Sequence, residues 1–235
     1  MKDDVKRMRI SETEELVEHI AAAFAKCADK QRFVVGIAGA PASGKSTLAE
    51  ELAKRLRKKP EISTGVVVVP MDGFHLDNAV LDERGQRDVK GAEQTFDVTG
   101  FLRLLRELVE PTCGSTSGVR HERVDPIYLP VFDRAMDLSR CAARAVLPSD
   151  RLIVVEGNYL LLDRPKWREL FCLLDLSIFL DVPIEVLERR LVERWLAHGL
   201  DETAAIKRAK SNDIPNANIV VAESATAHLV MGSVR

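Results

Sequence analysis

The sequence predicts an open, doubly wound α/β fold, in which a mainly parallel β-sheet carries helices on both faces. Four short apolar segments, at residues 32–38, 65–71, 151–157 and 174–182, alternate with stretches of helical spacing, and the chain has no internal repeat. Their nearly continuous apolar character is typical of parallel strands that are covered on both faces. The 235 residues are enough for one domain of this kind with a full core.

The first predicted element is a helix that precedes the first strand. Ser11 and Glu14 have the spacing of a capping box, and apolar residues then recur at helical intervals to about residue 28. We expect this helix to pack against the first strand. The charged start of the chain is unlike a signal peptide, and no apolar run is long enough to span a membrane. A soluble cytoplasmic protein is therefore expected.

The composition argues against two classes of partner. The chain has 34 Lys and Arg against 36 Asp and Glu, which gives a net charge of −2, and this balance predicts neither a nucleic acid nor a membrane as partner. The four cysteines, Cys27, Cys113, Cys141 and Cys172, are widely separated and form no C-x-x-C pair. Buried free thiols are therefore expected, and not a disulfide framework or a metal site.

A phosphate-binding motif follows the first predicted strand. Residues 39–46 read GAPASGKS and match G-x-x-x-x-G-K-[ST] at every specified position, and residues 46–56 continue with helical spacing. In such a loop backbone N–H groups surround a phosphate, Lys45 reaches the β- and γ-phosphates, and Ser46 ligates Mg²⁺. The predicted nucleotide-binding residues are Gly39, Ala40, Pro41, Ala42, Ser43, Gly44, Lys45, Ser46 and Thr47.

The second strand, residues 65–71, is followed directly by Asp72. The ligand crevice of an open α/β sheet lies beyond the carboxyl ends of its strands, so Asp72 should face the bound phosphates. A carboxylate there can orient an alcohol and take its proton as the oxygen attacks the γ-phosphorus. A turn or helix cap is the alternative role for Asp72. His75, shortly after it, either binds substrate or is a satisfied polar residue under the next loop.

A long polar segment and a helix come next. Residues 76–96 form a loop or short helices, too long for a simple connector, and we expect them to contact a ligand. A helix is predicted from about residue 97 to residue 110, where Pro111 ends it, and residues 113–121 form a Gly/Ser/Thr-rich hairpin or flexible loop.

The third strand ends in Glu156, which has the Walker B pattern of an acidic residue after an apolar strand. Such a carboxylate holds Mg²⁺ directly or through a water, and a solvated strand end is the alternative. Magnesium is therefore the predicted metal, with Ser46 and Glu156 as its protein ligands.

The fourth strand leads into a predicted helical lid at about residues 185–213. Its first helix begins after Pro183 and carries Arg190 and Arg194 on one face, where a guanidinium could neutralise charge on the transferring phosphoryl group. A salt-bridged surface helix is the alternative, because three glutamates share it. Gly199 and Asp201 are predicted to end this helix and to cap the next. Residues 218–221 and 228–231 are predicted to be short closing strands.

With these segments the chain resembles the phosphoribulokinase/uridine kinase/pantothenate kinase group of P-loop kinases. The resemblance covers roughly residues 33–222 and is carried, in order, by residues 36–46, 71–78, 84–85, 90–91, 95–97, 129–133, 155–157 and the arginine-bearing lid. It implies that Asp72 is the catalytic base, that Lys45, Ser46 and Glu156 hold nucleotide and magnesium, and that Arg190 and Arg194 contact phosphate.

The resemblance also indicates which subgroup of these kinases the chain is most similar to. The pantothenate kinase pattern has tyrosine and histidine after Pro-Val, where this chain has Phe132, Asp133 and Arg134. Bacterial nucleoside/sugar kinase-like proteins of the group, some named as fructose kinases associated with sugar transport, have segments similar to MDGFH at 71–75, PVFDR at 130–134 and EGNYLLL at 156–162.

These observations predict one P-loop kinase domain over residues 1–235 with an acceptor-binding insert at about 72–134, using ATP and Mg²⁺. The predicted substrate is a small-molecule alcohol, a sugar such as fructose first, with pantothenate or uridine and other nucleosides as alternatives. A regulatory ATPase is the alternative of another class. The sequence is compatible with a monomer or a homodimer. GTPase, motor ATPase and dinucleotide oxidoreductase motifs are absent from the sequence. The predicted substrate-binding residues are polar: His75, Asn78, Arg84, Lys90, Asp133 and Arg134.

Overall fold

The computed structural model of the chain describes residues 8–10, 12–27, 30–60, 62, 65–109 and 125–232. The strands are β1 (Met8–Ile10), β2 (Phe33–Gly39), β3 (Gly65–Pro70), β4 (Ile127–Asp133), β5 (Leu138–Val146), β6 (Asp150–Gly157), β7 (Leu176–Asp181) and β8 (Leu229–Gly232). The helices are α1 (Thr13–Ala25), α2 (Lys45–Leu56), α3 (Asn78–Glu83), α4 (Val98–Val109), α5 (Trp167–Phe171), α6 (Ile184–Ala197), α7 (Glu202–Arg208) and α8 (Ile214–Glu223).

The central sheet has the parallel arrangement that the apolar strands predict. Within the described residues it contains six strands in the order β1-β8-β7-β2-β6-β3, and every neighbouring pair is parallel. The order reverses around β2, which is flanked by β7 and β6. A crevice therefore opens at the carboxyl ends of these strands, where ligands of doubly wound sheets bind.

Two apolar cores, one on each face of the sheet, hold the helices in place. On one face α1 and α2 bury residues such as Ile20 and Leu52 against β2, β3 and β6. On the other face α4 and the segment after β6 bury Phe101, Tyr159 and Trp167. The helix α1 thus lies on the sheet as expected, although its first turn follows Glu12, which makes no side-chain cap. The proposed capping residue Ser11 lies outside the described residues.

One predicted strand is wrong. Residues 218–221 belong to α8, where Asn216, Ala217 and Val220 are buried at helical spacing while Val221 is 55% exposed. Pro215 in the first turn favours a helix start. The run Ile-Val-Val is apolar enough for either structure, and only the packing of one face decides it. The strand predicted at 228–231 is present as β8.

A two-stranded antiparallel hairpin, β4 and β5, stands apart from the central sheet. It packs against the 3₁₀ turn Met71–Phe74 that follows β3. A Cβ atom at Gly73 would lie 2.2 Å from the carbonyl oxygen of Pro130, so only glycine permits this close approach. The hairpin is therefore held directly beside Asp72.

Two further expectations concern the surface. Cys27, Cys141 and Cys172 are free thiols, as predicted. Cys27 is half-buried, and the other two are exposed, so the prediction of burial is wrong for Cys141 and Cys172. Cys113 and the loop predicted at 113–121 lie outside the described residues. None of the helices in the described ranges is both long and apolar enough to cross a membrane.

Candidate active site

The phosphate-binding loop connects β2 to α2. Gly44 precedes the first residue of α2 with φ +98°, and Ala42 has φ +62°, so the loop contains two residues in left-handed conformations. Glycine adopts such a conformation without steric cost, which explains Gly44 at this position. The loop thereby directs the free N–H groups at the start of α2 toward the crevice, as anion binding requires.

Lys45 is held inside this loop. Its ammonium donates to the carbonyl oxygen of Ala40 at 3.0 Å and lies 3.5 Å from the hydroxyl of Ser43, and the residue is only 7% exposed. Burial lowers the pKa of Lys45, and the nearby carboxylates of Glu156 and Asp72 oppose that shift. The cation therefore sits in the interior with two carboxylates nearby, where a phosphate would complete its surroundings.

Two oxygen donors meet beside the phosphate-binding loop: Ser46 in the first turn of α2 and Glu156 near the end of β6. The hydroxyl of Ser46 donates to Oε1 of Glu156 at 3.1 Å. Burial, followed by the charge of Asp72, raises the pKa of Glu156 to about 7, and Lys45 and Ser46 oppose this rise.

The hydroxyl of Ser46 and the carboxylate of Glu156 are suitable ligands for magnesium. Mg²⁺ prefers oxygen ligands and is usually bound by one or two protein groups together with substrate phosphates and waters. Within the described residues no group of three or more His, Cys, Asp or Glu side chains could hold a metal by itself. A hydroxyl and one carboxylate beside a phosphate-binding loop are therefore the donor set expected for nucleotide-bound magnesium.

Asp72 lies in the turn after β3 and faces the same crevice. Its Oδ2 accepts a hydrogen bond from the guanidinium of Arg134, at the end of the hairpin, at 3.0 Å. Both side chains line the cavity that contains Lys45, Ser46 and Glu156. The structure thus brings a carboxylate and a cation from two separate segments to the phosphate-binding loop.

His75 is fixed in one tautomer by its backbone contact. Its Nδ1 lies 2.7 Å from the carbonyl oxygen of Asp72, and because a carbonyl only accepts, Nδ1 must carry the proton. The ring is packed between Phe96 and Phe132, with centroid distances of 4.1 and 4.6 Å. Burial lowers the pKa of His75, so the ring is neutral and Nε2 carries a lone pair.

Lys90, Asn78 and Asp137 form a polar cluster that connects the segment after α3 to the hairpin. The Lys90 ammonium donates to Oδ1 of Asn78 at 2.7 Å and to Oδ1 of Asp137 at 2.9 Å. Asn78 in turn donates to Oδ2 of Asp137 at 3.0 Å. Lys90 and Asn78 were predicted to bind substrate. In the structure their polar groups form hydrogen bonds within the protein.

The two arginines of α6, Arg190 and Arg194, have different partners. The guanidinium of Arg190 donates to the carbonyl oxygens of Ala42 and Ser43, at 3.3 and 3.5 Å, and so supports the phosphate-binding loop. Arg194 lines the cavity and pairs with Asp213 at 3.3 Å. Asp213 lies in a π-helical turn, residues 209–213, a feature that is frequent at functional sites.

These residues surround a cavity of about 840 Å³. The predicted residues that line it are Pro41, Ala42, Gly44, Lys45, Ser46, Thr47, Asp72, His75, Lys90, Arg134, Glu156 and Arg194. The predicted residues that do not line it are Gly39, Ala40, Ser43, Asn78, Arg84, Asp133 and Arg190. Arg84 is exposed at the end of α3, and Asp133 accepts from the backbone N–H groups of Ala135 and Met136. Sequence reasoning missed several lining residues, namely Arg87, Asp137, Asn158, Trp195, His198, Asp213 and Asn216.

The parallel sheet, the phosphate-binding loop and the acidic residue near the end of β6 define the class of P-loop nucleotide-binding proteins. The chain belongs to the phosphoribulokinase/uridine kinase family, whose sequence model matches residues 34–235. Kinases of this family use ATP, typically with Mg²⁺.

The relatives carry several functional descriptions. The uncharacterised protein YggC of Escherichia coli is 36% identical over 217 residues, 91% of this chain and 83% of its own length. A protein of Schizosaccharomyces pombe, provisionally described as uridine kinase C227.14, is 35% identical over 88% of this chain and 85% of its own length. A crystal structure from Silicibacter sp. TM1040, provisionally described as a fructose transport system kinase, has 40% identity and a TM-score of 0.82 over 94% of this chain and 99% of that one.

Proposed function

We propose that this kinase transfers the γ-phosphoryl group of ATP to an alcohol hydroxyl of a small polyhydroxylated metabolite. The observation that carries the proposal is the position of Asp72, which lines one cavity together with Lys45 and Ser46 of the phosphate-binding loop. A carboxylate so placed can accept the proton of a hydroxyl that attacks the γ-phosphorus. A protein that only binds or hydrolyses nucleotide would have no use for an acceptor pocket beside that carboxylate.

The roles of the individual residues follow from their contacts. The backbone of residues 39–47 and the ammonium of Lys45 would hold the phosphates, and Ser46 and Glu156 would hold Mg²⁺, which neutralises phosphate charge when bound. Asp72 would take the proton of the attacking hydroxyl. Arg194 would stabilise the charge of the transferring group from the lid, residues 185–213, once that segment closes over the nucleotide.

The acceptor would lie on the side of the cavity beyond Asp72. We call this part the acceptor side; it is formed by His75, Arg87, Lys90, Phe132, Arg134 and Asp137. These residues lie in or just beyond the segment 72–134, which we propose as the acceptor-binding insert. They offer donors and acceptors for hydroxyl groups, together with one aromatic face, and this chemistry suits a sugar.

A sugar such as fructose is the first candidate, because the Silicibacter relative carries that description. A nucleoside is the second, because the S. pombe relative is described as a uridine kinase. The deciding measurement is ADP release from ATP and Mg²⁺ with fructose, other sugars, glycerol, glycerate, pantothenate, ribulose 5-phosphate and uridine. Turnover of uridine alone would replace the sugar by a nucleoside. Release that no acceptor accelerates over the blank would favour a regulatory ATPase.

A further inference from the structure

We infer that the acceptor is an uncharged polyhydroxylated molecule, and that the acceptor side discriminates against molecules carrying a phosphate or a carboxylate. The inference rests on the proposed phosphotransferase function and narrows its substrate class. It is carried by the ion pairs of the cationic side chains on the acceptor side, by the lone pair of His75, and by the charge that the nucleotide itself brings.

Each cation on the acceptor side already has a carboxylate partner within the protein. Arg134 pairs with Asp72 at 3.0 Å and Lys90 with Asp137 at 2.9 Å. Arg87 pairs with Asp82 at 3.0 Å. Lys90 is the least exposed of these three cations: its side chain is 9% exposed, and it also donates a hydrogen bond to Asn78.

An anionic acceptor would have to compete with these carboxylates. A phosphate that contacted Arg134 would lie beside Asp72, and one that contacted Lys90 would lie beside Asp137. Like charges at such short separations repel strongly in a site that is partly shielded from water. A neutral hydroxyl avoids this repulsion, because it can donate to a carboxylate oxygen of either ion pair without breaking the pair.

His75 points to the same class of ligand. Its Nδ1 proton is used by the carbonyl oxygen of Asp72, so Nε2 of the neutral ring offers only a lone pair. Among the residues the structure describes, Nε2 has no hydrogen-bond partner. A sugar hydroxyl can donate to this nitrogen, whereas an ionised phosphate or carboxylate oxygen has no proton to give.

The charge of the whole cavity leads to the same conclusion. With histidines counted as neutral, its described lining contains six cationic and four anionic side chains, a net charge of +2. A triphosphate with one bound Mg²⁺ carries about −2, so the nucleotide alone balances the lining. A second anion would leave the loaded cavity with an excess of negative charge.

Matched acceptor pairs test the inference directly. We would compare kcat/KM, from ADP release with ATP and Mg²⁺, for fructose and fructose 6-phosphate, ribulose and ribulose 5-phosphate, glycerol and glycerate, and pantothenol and pantothenate. In every pair that supports turnover, the neutral member is expected to exceed its charged partner at least about 10-fold. A charged member that is the better acceptor would overturn the inference while leaving the phosphotransferase function intact. If no member of any pair accelerates ADP release over the blank, the proposed function fails, and the inference fails with it.

The variant Asp137→Asn tests whether the ion pairs set this discrimination. Asp137 has φ +51°, a conformation that asparagine also adopts, so the hairpin turn should be preserved. The change frees the charge of Lys90 and is expected to improve the charged member of a pair relative to the neutral one about 10-fold. Asp163→Asn, which breaks an exposed pair with Arg168 elsewhere on the surface, should leave the ratio unchanged. An unaltered ratio in Asp137→Asn would overturn the assignment of selectivity to this pair.

Discussion

The carboxylate of Asp72 and the guanidinium of Arg134 form an ion pair at 3.0 Å between the turn after β3 and the end of β4. The two residues are 62 positions apart, so the pair exists only because the hairpin packs against that turn. The hairpin therefore supplies the only side-chain hydrogen-bond partner of the proposed base among the described residues. It also fixes where one of the two carboxylate oxygens points.

Replacing Asp72 by asparagine should separate catalysis from binding. The amide keeps the shape of the side chain but cannot take a proton, so kcat is expected to fall by about 10² or more while ATP affinity stays within a few-fold. Steady-state kinetics together with ATP titration of the variant make the comparison, with Asp163→Asn as the control for loss of an exposed carboxylate. Equal losses in kcat and in ATP affinity would instead assign Asp72 to magnesium binding or to structure.

Arg134 is expected to orient Asp72 and to contact the acceptor. Arg134→Ala should lower kcat/KM for the acceptor about 10-fold or more and change ATP affinity little, because the guanidinium of Arg134 contacts Asp72. Arg140→Ala is the matched control, since Arg140 lies on the same hairpin with a side chain that is 62% exposed. An Arg134→Ala enzyme with normal acceptor kinetics would show that the pair is only a surface contact.

The substitution Lys45→Ala should reduce activity strongly and leave stability unchanged. Lys45→Ala removes the cation beside the β- and γ-phosphates and should lower turnover by about 10²–10³ and weaken ATP binding. The same change removes a buried ammonium whose pKa burial lowers, so the melting temperature should not fall. Lys54→Ala, at an exposed position of the same helix, provides the control. Near-normal turnover at saturating ATP would contradict the assignment of this loop.

The raised pKa of Glu156 predicts how stability changes with pH in the metal-free protein. A carboxyl group whose pKa rises from 4.5 to about 7 on folding binds its proton more tightly in the folded state. The free energy of unfolding should therefore fall as the pH rises from about 4.5 to about 7, by at most about 3 kcal/mol. Denaturant titrations in EDTA should show this fall in the natural protein and a smaller one in Glu156→Gln. Glu50→Gln, at an exposed site on α2, should keep it; identical pH profiles for Glu156→Gln and the natural protein would contradict the shift.

The sequence was most informative where local chemistry alone sets the structure. The glycine pattern from Gly39 to Gly44 and the apolar runs before Asp72 and Glu156 predict the loop, the strands and the edge of the sheet where these residues meet. Each of those predictions depends on backbone geometry or on period, and both are visible in a single segment.

The missed features depend on contacts between distant segments. Asp137 reaches the cavity only through the hairpin, and its partner Lys90 comes from a loop 47 positions away. The run around Val220 is apolar enough for a strand, and the choice of a helix follows from which face the core covers. Arg190 and Arg194 share a helix face in the sequence, yet one braces the phosphate-binding loop and the other lines the cavity. Such differences arise from packing, which a linear pattern does not record.

The proposed lid provides the last test, because Arg194 and Asp213 form a pair that nucleotide binding should break. Asp213 also accepts a hydrogen bond from the indole of Trp195 at 2.6 Å, so the carboxylate keeps one partner when Arg194 leaves it. A triphosphate in the cavity offers Arg194 more negative charge than Asp213 does, and the transferring phosphoryl group makes this contact most favourable in the transition state.

Arg194→Ala should therefore reduce kcat by about 10² or more and ATP affinity only a few-fold, since the contact is completed after the nucleotide binds. Arg189→Ala is the matched control, because Arg189 lies on the same helix, is 68% exposed and has only a 4.0 Å contact with Glu193. Hydrogen exchange of residues 185–213 should slow when a non-hydrolysable ATP analogue is added to the natural protein, and slow less in Arg194→Ala. Unchanged exchange together with normal kcat in Arg194→Ala would show that the Arg194–Asp213 pair holds the helix α6 against the π-helical turn and takes no part in phosphoryl transfer.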